Sequence, residues 1–138
     1  MDLSLLNTVK RADEGVAMQL RHPLTRALLV HEDDGRPVTI TFAGQDAKRV
    51  RHAQRELITQ RAKDLKRRYF PDGDADERDV IEVIAKATLA WDIIVDGAKP
   101  ECTFAEARKL YRAYPWIVEQ ADAFIFDRAN FLPTESAA

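Results

Sequence analysis

The sequence predicts an α+β fold: an N-terminal β-hairpin or small antiparallel sheet followed by a bundle of about four helices. Three observations predict it. Val38, Ile40 and Phe42 alternate with Thr39 and Thr41, the period of a half-buried strand. Past residue 46 the apolar residues recur at helical spacing. No stretch reads as a linker long enough to divide the chain, so residues 1–138 are expected to form one domain. Within it, 1–45 is the β-rich part, 46–131 the helical part and 132–138 a frayed tail.

Each element has a local reason. Val16, Met18 and Leu20 alternate with Ala17, Gln19 and Arg21, giving a first strand that Pro23 interrupts. The short apolar run Ala27 to Val30 follows, then "HEDDGRP", in which Asp34-Gly35 is a turn signal. The strand Val38 to Phe42 is rich in β-formers, and the pair reads as a hairpin around Asp34-Gly35. Gly44 ends it and Asp46 is placed to cap a helix from Ala47 to Arg68. Val50, Ala53, Leu57, Ala62 and Leu65 supply its core stripe.

The loop "PDGDADE" separates that helix from a second, from about Glu77 to Val95. Val80, Ile81, Ile84, Ala87, Thr88, Trp91 and Ile94 or Val95 are its expected buried face, and Asp96-Gly97 stops it. Thr103 and Glu106 have the spacing of a capping box for a third helix. Pro115 suits the first turn of a fourth, where its missing N–H has no partner to lose; this helix is expected to reach Phe131.

Composition narrows the function. The net charge of −2 gives no global attraction to nucleic acid or anionic lipid. The single cysteine, Cys102, excludes an internal disulfide framework and a four-thiolate zinc site, and fits a reducing compartment. The opening residues lack the basic segment and apolar run of a signal peptide, and no apolar run approaches the roughly 20 residues of a membrane span. A soluble protein that stays where it is made is expected.

No catalytic, metal or cofactor motif emerges. His22, His31 and His52 stand in no metal-ligand frame. Asp72, Asp74 and Asp76 imitate the start of a calcium loop, but Glu77 and Val83 occupy positions that need glycine and a bidentate glutamate. The glycines are scattered singly, so there is no phosphate loop. Between Lys48 and Arg68 nine Lys and Arg face two acids, Glu56 and Asp64. Such a helix could track phosphates. No nucleic-acid motif surrounds it, however, and a compensating acidic segment follows at once, so a solvated or intersubunit face is the preferred reading.

The aromatics carry the remaining signal. Seven of eleven lie between Phe104 and Phe131. Ile117, Ala121, Phe124, Arg128 and Phe131 form one stripe on the last helix, which Tyr114, Trp116 and Phe126 cannot all join. Either every aromatic is core, or Ile117, Phe124 and Phe131 are core while Trp116 and Phe126, with Tyr114, form a partner-binding surface.

The chain resembles the tail assembly chaperones of long-tailed bacteriophages and prophages of proteobacteria. The resemblance spans nearly all of it. It rests on "RHPLT" at 21–25, "DGRPVTITFAGQDAKRVR" at 34–51 and Trp91 followed by Asp96-Gly97. It continues through "TFAEARKLYRAYPWIVEQ" at 103–120 and closes with "DRANF" at 127–131. At Arg26 and Ala90 related chains commonly place glycine. The resemblance implies a non-enzymatic protein of the host bacterial cytoplasm. It would coat the helical tape measure protein before tail tube subunits polymerise around it, and be absent from the finished virion. Self-association is implied too, and the tail tube protein is a further candidate partner. A minor tail or connector protein retained in the virion is the rival in the same setting. A nucleic-acid adaptor using the 48–68 helix is the more distant one.

Overall fold

The computed structural model describes residues 1–67 and 73–134, with the backbone alone at 73–75. It is an α+β fold in the order α1 (Val9–Glu14), β1 (Val16–Gln19), β2 (Thr39–Phe42), α2 (Lys48–Lys66), α3 (Gly73–Ala87), β3 (Thr88–Asp92), α4 (Phe104–Ala113) and α5 (Pro115–Ile125). Short 3-10 turns at Leu3–Leu6 and Arg128–Phe131 flank it. The sheet has the order β1-β2-β3 and is antiparallel throughout.

The first strand pair lies where the alternation placed it, with Met18 opposite Ile40 and Val16 opposite Phe42. The intervening residues fold back in two steps. Arg21 bridges Leu28, and Val30 bridges Pro37 around the Asp34-Gly35 turn. Arg26 closes the first step with φ 66, a left-handed conformation unusual for a side chain other than Gly, Asn or Asp.

The third strand corrects the sequence expectation. Residues 88–92 do not continue a helix to Val95; they pair with β2 in the half of the chain expected to be wholly helical. Thr88, Leu89 and Trp91 are compatible with either period, and the unpaired edge of β2 decides the matter by offering hydrogen bonds to a strand. The join is bulged: Phe42 faces Thr88 and Thr41 faces Ala90. Beneath the bulge, Gly15 has φ +91, and a Cβ there would meet Leu89 Cδ1 at 2.4 Å. Only glycine combines that conformation with that approach.

Further details differ from the sequence expectation. α3 begins at Gly73, so part of the expected acidic loop is helical; residues 68–72, including Asp72, and the Asp74 side chain lie outside the described structure. Asp46 does not cap α2. Asp13 does, accepting the Lys48 N–H at 2.9 Å, because Asp46 is held by Thr8 and Arg128. The core stripe of α2 stops at Leu57: Val50 and Ala53 are buried, whereas Ala62 and Leu65 are exposed, since the helix outruns the layer beneath it.

α5 ends at Ile125, well short of Phe131. Its last carbonyls are taken by distant donors: Asn130 Nδ2 bonds Phe124 O at 3.0 Å and Gln45 N bonds Ile125 O at 3.0 Å. These replace the N–H groups that another helical turn would have supplied. The tail is not free from its first residue either, because Arg11 Nη1 donates to Leu132 O at 2.7 Å; residues 135–138 lie outside the described structure.

The capping box does form a cap, with Thr103 Oγ1 accepting from Glu106 N–H at 3.1 Å, and Pro115 opens α5. Sheet and helices share one buried cluster, in which Ile40, Phe42, Val50, Ile84, Tyr111, Ile125 and Phe131 are the largest fully enclosed side chains.

Candidate partner-binding site

The three aromatics singled out from the sequence do not share one surface. Tyr114 and Trp116 flank the start of α5, and their rings meet edge-on at 6.4 Å. Both are half-buried. Tyr114 lines a pocket of about 260 Å³ with Trp91, Val95 and Leu110, and Trp91 is fixed there by donating Nε1–H to Pro100 O at 2.9 Å. Phe126 stands just beyond the other end of α5, roughly 15 Å away along the axis. It is 37% exposed and lines a different groove.

That second groove is lined mainly by apolar side chains. α2 contributes Leu57 and Ile58, α3 contributes Val80, Val83 and Ile84, and Phe126 closes the end; its volume is about 480 Å³. Ile58 is 70% exposed and Val80 40%. Leu65, one step of seven residues beyond Ile58, is 65% exposed and extends the apolar line along α2. Polar groups lie at the margin. Asp79 is held by Arg61, which also reaches Asp76 at 3.0 Å. Lys86 and Glu56 pair at 2.7 Å across the same two helices.

Ion pairs therefore link α2 and α3 near the groove. It also accounts for part of the charge contrast visible in the sequence: the middle of α2 meets acids within its own chain. The sequence reading missed Ile58. The signal was present as a large apolar residue off the Val50–Ala53–Leu57 line of an otherwise strongly polar helix.

The residues of the α5 region do not divide as the split reading expected, because Trp116 and Tyr114, like Phe124, are half-buried against the core, and only Phe126 of the four is exposed. Ile117 and Phe131 are buried. Phe124 is half-buried, 6.3 Å from Phe42 and 5.6 Å from Phe131 between ring centroids. Ile125, which the sequence stripe omitted, is fully buried.

The titratable groups are arranged for structure. His22 Nδ1 accepts the N–H groups of Leu24 and Thr25, and His52 meets Glu56 at 3.0 Å. His31 is buried, with Nε2 against Asp92 O at 3.0 Å, and Arg36 binds the same Asp92 at 2.9 Å. The Asp92 carboxyl is accordingly held below the usual carboxylate range, chiefly by Arg36. Burial raises the Cys102 thiol pKa, which disfavours a reactive thiolate. Among the described residues no cluster of His, Cys, Asp or Glu is grouped to hold a metal ion, and no helix is long and apolar enough to cross a membrane.

The chain matches no protein-family model, and no curated protein or solved structure is significantly similar to it.

Proposed function

We propose that this chain is a non-enzymatic tail assembly chaperone of a long-tailed phage or prophage. It binds the helical tape measure protein in the host cytoplasm and keeps it soluble until tail tube subunits polymerise around it. The observation that carries the reading is the open apolar groove between α2 and α3 closed by Phe126, with Ile58, Val80 and Leu65 exposed along it. A groove of this kind suits the apolar face of a client helix.

The sequence resemblance supplies the identity of the client. Arg26 departs from that resemblance, since related chains commonly place glycine there, and it takes the positive φ itself. Moderate affinity at each copy, multiplied along a long client, reconciles tight coating with later displacement.

Co-expression with the large tail protein encoded beside it, followed by pull-down, tests the reading. Capture is expected from the wild type and loss of capture from Ile58→Asp and Phe126→Ala, with unchanged melting temperature. Capture that tracks stability alone across the variants would place the contact elsewhere. Mass spectrometry of purified virions separates this reading from a retained minor tail or connector protein: stoichiometric presence in the particle defeats the chaperone assignment.

A further inference from the structure

A second groove lies where α1 meets the start of α2, apart from the apolar groove. Its volume is about 780 Å³, and Lys48, Arg49, Arg51, His52 and Arg55 line one wall. Lys48, Arg51, His52 and Arg55 fall at i, i+3, i+4 and i+7, so they form one cationic stripe along the helix. The Lys48, Arg51 and Arg55 side chains are exposed and make no hydrogen bond or ion pair among the described residues. The two carboxylates of the groove are already hydrogen-bonded, Asp46 to Thr8 and Arg128 and Asp13 to the Lys48 N–H, and Asp46 also feels the charge of Arg51. The acids of α3 that neutralise Arg61 do not line this groove.

On the α1 side the lining is Val9 together with Asp13. Val9 lines the groove and is 45% exposed. It is preceded by the 3-10 turn Leu3–Leu6, which buries none of its residues; Leu5 is 63% exposed and Leu6 50%. A concave site therefore presents exposed Lys48 and Arg55, with Arg51 within electrostatic reach of Asp46, beside exposed Val9, and the chain just before Val9 carries the exposed Leu5 and Leu6.

We infer that this groove docks an acidic amphipathic helix of a protein partner, with its carboxylates on Lys48, Arg51 and Arg55 and its apolar face on Val9 and the Leu5–Leu6 edge. Charge complementarity selects an acidic partner. The exposed apolar residues Val9, Leu5 and Leu6 favour an amphipathic helix over a phosphate backbone, which has no apolar face to set against them, and concavity favours it over a flat bilayer. The inference stands apart from the tape measure reading, because it uses neither the Phe126 groove nor the client.

The test uses the whole chain and a synthetic helical peptide of about 18 residues, long enough to hold helix. The peptide carries leucines on one face and glutamates beside them; a scrambled peptide of the same composition is the control. Fluorescence anisotropy is expected to show binding of the first only. The K48E/R51E/R55E variant is expected to weaken it by at least about tenfold, as is raising salt from about 0.05 M to about 0.3 M. Leu5→Ser with Leu6→Ser weakens it separately. Circular dichroism checks that each variant folds, and R51A/R55A is the milder substitute where the reversal does not.

Equal binding of the scrambled peptide overturns the inference. So does preferential binding of duplex DNA or of anionic phosphatidylserine vesicles over the helical peptide. Sedimentation showing the groove occupied by a second copy, released by the same charge reversal, overturns it as well.

Discussion

Thr88 Oγ1 lies 2.6 Å from Tyr111 Oη, at the residue where α3 becomes β3. The Thr88 hydroxyl donates its one proton to Ile84 O at 2.8 Å, so it accepts the proton of Tyr111. Tyr111 is fully buried, and this is the bond that satisfies its hydroxyl. Thr88→Val strands that hydroxyl and is expected to cost about 1–3 kcal/mol, whereas Tyr111→Phe removes only a bond and costs about 1 kcal/mol. Urea unfolding of both variants and the double mutant measures the coupling; strict additivity would contradict the assignment.

The same burial gives a pH dependence. Desolvation raises the Tyr111 pKa above its ordinary value of 10.0. A raised folded-state pKa means that the native state keeps its proton where the unfolded chain loses it. Its stability contribution is complete below pH 10 and declines as pH rises beyond it. Tyr111→Phe is expected to flatten the alkaline limb of urea midpoint against pH.

Asp46 gives the opposite sign. Hydrogen bonds from Arg128, then from Thr8, hold its carboxyl below the ordinary 3.8. Stability from this group is present above the unfolded pKa and lost as pH falls through the folded one. Asp46→Asn is expected to lower the urea midpoint at neutral pH and to converge on wild type in strong acid. A constant offset at all pH values would mean that shape, not charge, holds this corner.

Gly44 lies against the Phe131 ring: a Cβ there would sit 2.8 Å from Cδ2 and Cγ. Gly44→Ala forces the buried ring to shift and is expected to cost about 1–3 kcal/mol. Gly35→Ala meets no atom within 4 Å but is strained at φ +75, so its cost is local to the turn. Thermal denaturation together with hydrogen exchange at α5 distinguishes them, since only the Gly44 variant loosens the Phe131 region.

Two phenylalanines two residues apart should behave differently. Phe124, against Phe42 and Phe131, is expected to cost about 3 kcal/mol on truncation to alanine, and Phe126, at the groove mouth, within about 0.5 kcal/mol. Equal losses in chemical denaturation would make Phe126 a core residue and remove the closed end of the proposed client groove.

The sequence by itself determined the elements whose reasons are local. Alternation placed β1 and β2, and Thr103 and Pro115 marked the starts of α4 and α5, because capping, turn chemistry and strand period act within a few residues. Tertiary structure decided what depended on distant partners. The free edge of β2 made a strand of Thr88–Asp92; Asn130 and Gln45 stopped α5 at Ile125; Asp13 displaced Asp46 as the cap of α2. The candidate site belongs to the second class. Phe126 was legible as an aromatic off the core stripe, but Ile58 and Val80 become a surface with it only when α2 and α3 are packed side by side, since a groove is a property of two helices and of the gap that their side chains leave unfilled.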